Sequence, residues 1–150
     1  AGMKKFQFSL DHVLDYKQQV LEGLQNEHAI LMQRVRSQEE LVEELWQRYW
    51  SCNRELREAE ITGMTVAEAM RLESGLRFWE KEIEKNERLL EEYRRAAEDK
   101  RRQVVAARQD TASLEKLKDK KHQAYQLEVQ KGEERFIEEL VAAQRAMSAG

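Results

Sequence analysis

The chain has 150 residues, with no proline, six glycines, 37% charged residues and only 7% aromatics. That usage, rich in Glu, Lys, Arg, Gln, Ala and Leu, is the composition of coiled coils and long helices, and without proline no residue removes a helical donor. A net charge of −3 and a single cysteine, Cys52, argue against a nucleic-acid or membrane-surface protein and exclude an intrachain disulfide.

No apolar run approaches the roughly 20 residues needed to cross a bilayer, and the N-terminus lacks the apolar core of a signal peptide. Ala1-Gly2 ahead of Met3 reads as a cloning scar, with Met3 as the native start. The expectation is a cytoplasmic protein whose association with a membrane, if any, runs through partners.

Taken in chain order, Ser9 is the expected N-cap of a first helix, with apolar Phe8 just ahead of it. From Leu24 a seam runs in alternating steps of four and three: Leu24, His28, Leu31, Val35, Gln38, Val42, Leu45, Tyr49, Cys52, Leu56, Ala59. An average step of 3.5 keeps a stripe facing a partner helix in a left-handed supercoil. Upstream, Leu10, Val13 and Val20 continue the stripe, with Lys17 intruding and a stutter at Leu24.

The one good break is Ile61-Thr62-Gly63-Met64-Thr65. Gly63 can end a helix in the left-handed conformation, and Thr65-Val66-Ala67-Glu68 reads as a capping box that starts the next. A second seam follows: Leu72, Leu76, Trp79, Ile83, Asn86, Leu90, Tyr93, Ala97, Lys100, Val104, Ala107, Thr111, Leu114. Beyond it come Leu117, Tyr125, Val129, Phe136 and Leu140. Asp110-Thr111-Ala112-Ser113 could kink this helix, but without proline continuity is expected.

The expected fold is all-α: a long antiparallel two-helix coiled-coil hairpin with a C-terminal helical overhang. The whole chain, 1–150, forms one hairpin domain, with helix 1 at about 9–61, the turn at about 62–65 and helix 2 at about 66–147. At 1.5 Å per residue the helices would be roughly 75 and 120 Å long. Folding at Gly63 sets residue i opposite about 127 − i, leaving about thirty C-terminal residues without a partner helix. An apolar stripe there, Tyr125, Val129, Phe136 and Leu140, is expected to await a partner.

No catalytic constellation emerges, and no cofactor or metal is expected. His12, His28 and His122 have no ligand-like spacing to one another or to Cys52, and two helices offer no cleft to gather ligands. His28 reads as a seam position and His12 and His122 as surface residues. Cys52 reads as a small buried hydrophobe, and Gln38, Asn86, Lys100 and Thr111 as polar seam residues that fix register. Basic residues concentrate between Arg94 and Lys121. With acidic residues interspersed and no aromatics for base stacking, they read as a solvated face pairing with helix 1 rather than a nucleic-acid surface.

The aromatics near the turn exceed what two helices can bury. Trp46, Tyr49 and Trp50 on the first helix fall level with Phe78 and Trp79 on the second. Such residues are enriched in binding hot spots, although a locally wide core would also use them.

Phe6-Gln7-Phe8-Ser9-Leu10-Asp11-His12-Val13-Leu14 resembles the "F-x-F-x-L-x-x-L-L" opening of the flagellar export protein FliJ family. Leu114-Glu115-Lys116-Leu117-Lys118-Asp119-Lys120-Lys121, then Tyr125 and the acidic Glu133-Glu134 and Glu138-Glu139, is similar to that family's C-terminal pattern, with Glu138 in place of aspartate. The resemblance implies an antiparallel hairpin like the γ subunit of rotary ATP synthases, placed beneath the flagellar type III export gate. It implies that both chain ends enter the hexameric ring of the export ATPase and promote its assembly and activity. It further implies contact with the export gate membrane protein and with export chaperones, and no enzymatic activity of its own.

On this basis the expected ring-binding residues are Phe6, Leu10, Val13, Leu117, Tyr125, Val129, Phe136 and Leu140. The expected gate-binding residues are Trp46, Tyr49, Trp50, Gly75, Phe78, Trp79, Glu82 and Asn86. Of the positions carried over from the family, Gly75, Trp79, Glu82 and Asn86, only Trp79 keeps an apolar character. The alternative is a coiled-coil scaffold or homodimeric adaptor in which the overhang pairs with a second copy.

Overall fold

A computed structural model describes residues 4–149. Ala1-Gly2-Met3, read above as a cloning scar and start, and Gly150 lie outside the described residues. Two helices account for nearly all of the rest: α1, Asp11–Thr62, and α2, Val66–Ala149. The fold is all-α, with the two helices packed antiparallel as a hairpin.

The start of α1 and the turn between the helices each have a local cause. The Asp11 N–H bonds to the Phe8 carbonyl at 3.0 Å and the Leu14 N–H to the Leu10 carbonyl at 2.9 Å. The chain therefore turns over Ser9 and enters α1 at Asp11, one residue later than a Ser9 cap requires. At the other end Gly63 adopts φ +92°, a region costly for any residue with a Cβ. Thr65 then caps α2: its hydroxyl accepts the Glu68 N–H at 3.2 Å and its carbonyl the Ala69 N–H at 3.0 Å. The hydroxyl half of the expected capping box thus forms. Through residues 110–113 α2 stays continuous, with the Thr111 and Ser113 hydroxyls donating back to the Ala107 and Gln109 carbonyls at 2.9 and 3.0 Å.

Contacts divide the chain into two units. The unit Gly23–Val104 holds the larger apolar core, in which Val35, Val42, Leu90 and Ala97 are buried with Leu31, Met32 and Tyr93 against them. Its seam follows the expected positions, since Leu45, Leu72 and Ile83 are buried too, as is Val104. The buried Gln38 amide donates to the Asn86 backbone carbonyl and side-chain oxygen, both at 3.0 Å. Lys100 reaches Glu27 at 2.7 Å. Both pairings satisfy the expected relation of i to 127 − i within a few residues.

The second unit pairs Ala1–Glu22 with Val105–Gly150, and here the seam differs from expectation. Leu14 is buried and Leu10, Lys17 and Leu21 are half-buried, whereas Val13 and Val20 are exposed. Through Leu24 the spacing is therefore an unbroken four-three alternation, with no stutter in α1. On α2 the seam passes through Thr111, Leu114, Lys118, His122, Tyr125 and Val129. Two successive steps of four, at Lys118 and His122, place the stutter there and turn Leu117 outward. From residue 130 to 149 every position is exposed.

Candidate functional site

The C-terminal stretch of α2 is the first candidate surface. Phe136 and Ile137 are 61% and 59% exposed, and Leu140, Val141 and Met147 are exposed as well. Spacings of one, three and four set Phe136, Ile137, Leu140 and Val141 on one face. Glu133, Glu134, Glu138 and Glu139 alternate with them along the helix. Large apolar side chains grouped in water mark an interaction surface rather than scattered exposure. The sequence reading found Phe136 and Leu140 but missed Ile137 and Val141, which the i, i+4 spacing offers.

Just N-terminal to this face, Lys4 and Phe6 lie against α2. Phe6 packs edge-on against His122 with ring centroids 4.8 Å apart and tilts against Tyr125 at 5.6 Å. The Tyr125 hydroxyl donates to the Lys4 carbonyl at 2.7 Å. Residues 4–7 and Tyr125 enclose a shallow groove of about 700 Å³. His122, expected at the surface, is half-buried because Phe6 covers it. Of the eight expected ring residues, Phe6 and Tyr125 thus touch, and Leu10 and Val129 are half-buried. Val13, Leu117, Phe136 and Leu140 face solvent.

The second candidate surface lies in the other unit. Trp46 and Trp50 stack with centroids 6.3 Å apart, and Tyr49 meets them edge-on at 5.5 and 5.1 Å. Phe78 and Trp79 contact at 5.0 Å, and the Arg48 guanidinium sits 5.4 Å over the Trp79 ring, within cation–π range. Tyr49 and Trp79 are half-buried, while Trp46, Trp50 and Phe78 are exposed. The helices bury only part of this aromatic set, as their stripe width dictates.

Trp46 is also held across the pair, its indole N–H donating to Glu87 at 3.1 Å. It lines a groove of about 540 Å³ with Glu39, Val42, Glu43, Leu90 and Arg94. Glu87 was not singled out from sequence, because its role depends on which residue faces it. Gly75 is half-buried at a close approach, where an added Cβ would come within 3.2 Å of the Cys52 sulfur. Glu82 is half-buried, and its carbonyl accepts the Asn86 amide at 2.8 Å.

Cys52 itself is half-buried, with Sγ 3.4 Å from the Leu72 carbonyl. Burial, then the nearby Glu55, push its thiol above the ordinary range. That is the opposite of an activated nucleophile. Among the described residues, no group of three His, Cys, Asp or Glu side chains is arranged to hold a metal. Part of the basic stretch pairs with acids of α1 as expected, Arg94 with Glu39 at 3.4 Å and Lys118 with Asp11 at 2.8 Å, whereas Arg101 pairs within α2, with Glu98 at 2.8 Å.

Among the described residues, two long packed helices that carry an exposed apolar helix face and an aromatic cluster define the class as a helical-hairpin coiled coil. The sequence model of the flagellar FliJ protein family matches residues 6–150. The chain belongs to this family, and is thereby a component of the flagellar export apparatus. No curated protein and no solved structure matches the chain. Among the described residues no helix is long and apolar enough to cross a membrane.

Proposed function

We propose that this chain is a non-enzymatic central-stalk and chaperone-like subunit, a single hairpin domain working at the cytoplasmic face of the flagellar base. The chain ends enter the hexameric ring of the export ATPase, promote its assembly and raise its activity. The surface that does so is Phe6, Leu10, Val13, Leu117, Tyr125, Val129, Phe136 and Leu140. The aromatic cluster of Trp46, Tyr49, Trp50, Phe78 and Trp79, with Gly75, Glu82 and Asn86 on the same stretch of α2, meets the export gate. Export chaperones are further partners, and membrane association runs only through partners.

The observation that carries this reading is the solvent-exposed apolar face of α2 from Phe136 to Val141. A helix face of this kind gains stability only by docking, because water penalises its grouped apolar area. A ring pore lined by apolar and basic groups would match the face and its flanking glutamates. Replacing Phe136 with aspartate should abolish stimulation of the export ATPase while far-ultraviolet circular dichroism remains unchanged. Unaltered stimulation would remove Phe136 from the ring contact.

The same face also suits a homodimeric adaptor, in which it pairs with a second copy. Sedimentation separates the two readings: a stalk sediments as a monomer at micromolar concentration, whereas an adaptor keeps its dimer mass on dilution.

A further inference from the structure

Both units carry polar seam pairs, Gln38–Asn86 and Lys100–Glu27 in Gly23–Val104 and Lys17–Asp110 and Lys118–Asp11 in the other, but they differ in buried apolar content. In Gly23–Val104 the cross-helix face is largely apolar, with Val35, Val42, Leu45, Leu72, Ile83 and Leu90 all buried. In the unit of the chain ends, Phe8 and Leu14 are the buried apolar side chains among the described residues. Seam positions that could hold an apolar residue carry Lys17, Lys118 and Thr111 instead. Lys17 lies 3.6 Å from Asp110 and Lys118 lies 2.8 Å from Asp11, and each lysine side chain is 39% exposed. Solvent-screened ion pairs of this kind add little net stability. Thr111 donates its hydroxyl within α2, to the Ala107 carbonyl, so that bond does not hold α1.

We infer that the pairing of residues 11–22 with residues 105–125 is an opening device. This end separates and re-forms while Gly23–Val104 stays paired. Opening lifts residues 4–8 from α2, breaks the bond from the Tyr125 hydroxyl to the Lys4 carbonyl, and parts Phe6 from His122. Leu114, His122 and Tyr125 are then uncovered directly N-terminal to the exposed face of α2, and the apolar surface available to a partner lengthens. Only this last consequence rests on the reading of that face as a docking surface; the opening itself does not.

Hydrogen–deuterium exchange on the full-length chain tests it. Helices draw most of their protection from packing rather than from intrinsic propensity. Amides of residues 105–125 should therefore exchange at least about tenfold faster than those of residues 83–97. Terminal fraying does not account for such a difference, because 105–125 lie in the interior of α2. The double variant K17L/K118L places apolar side chains in the seam and should slow exchange in 11–22 and 105–125, leaving 83–97 unchanged. Equal exchange in the two stretches of α2 would overturn the inference. So would fast exchange at 105–125 that K17L/K118L leaves as it was.

Discussion

Gln38 of α1 spends its side-chain amide on a single residue of α2, donating from Nε2 to both the backbone carbonyl and the side-chain oxygen of Asn86. Gln38 is buried, and Asn86 uses its own amide on the Glu82 carbonyl at 2.8 Å. A polar pair at facing core positions favours the one alignment in which both groups are satisfied.

Removing one member should therefore cost more than removing both. Gln38→Leu leaves the Asn86 oxygen without its cross-helix donor, and is expected to destabilise the hairpin by about 1–3 kcal/mol. Q38L/N86L should recover most of that loss but relax the alignment, giving higher-order species. Urea unfolding followed by circular dichroism measures the first effect and sedimentation the second.

The turn makes a second prediction. At φ +92° Gly63 sits where a Cβ meets backbone, although the surrounding space is open. Gly63→Ala should cost about 1–2 kcal/mol from conformation alone. Thr65→Ala removes the cap on α2 and should cost about 1 kcal/mol. The two residues are neighbours in one turn, so their joint effect should depart from the simple sum. Thermal melts of the two single variants and the double variant measure each term.

The hydrogen bonds from the Arg101 guanidinium, together with the Arg101 and Arg102 charges, hold the Glu98 carboxyl below the usual range. A carboxylate with a lowered folded pKa contributes stability above the ordinary glutamate value, and loses it as pH falls through the lowered one. Lys118 behaves conversely: its bond to Asp11 raises the lysine pKa, so its contribution persists through neutral pH and disappears only above the ordinary lysine range. Glu98→Gln should lower the melting temperature slightly at pH 7 and not at pH 2.5. An equal deficit at both would show that the ion pair is not the cause.

Most of the fold was legible because the seam from Leu24 to Leu114 alternates four and three with few apolar rivals beside it. The reading failed where two apolar neighbours compete. Val13-Leu14 and Val20-Leu21 each offer a seam residue, and periodicity cannot choose between adjacent positions. The longer leucines are the ones that turn inward. His122 was misplaced for a different reason: its burial comes from Phe6, more than a hundred residues away in the chain. The aromatic cluster was visible as composition at one level of the hairpin, but the Trp46–Glu87 bond needed the actual alignment of α1 and α2.

The proposed stalk role is tested by ATP hydrolysis by the cognate export ATPase with and without this chain, with ring formation followed by electron microscopy. The expected result is faster hydrolysis together with more assembled hexamers, both lost with Phe136→Asp. Unchanged hydrolysis and ring formation by an enzyme shown to be active would contradict the stalk role and favour the scaffold.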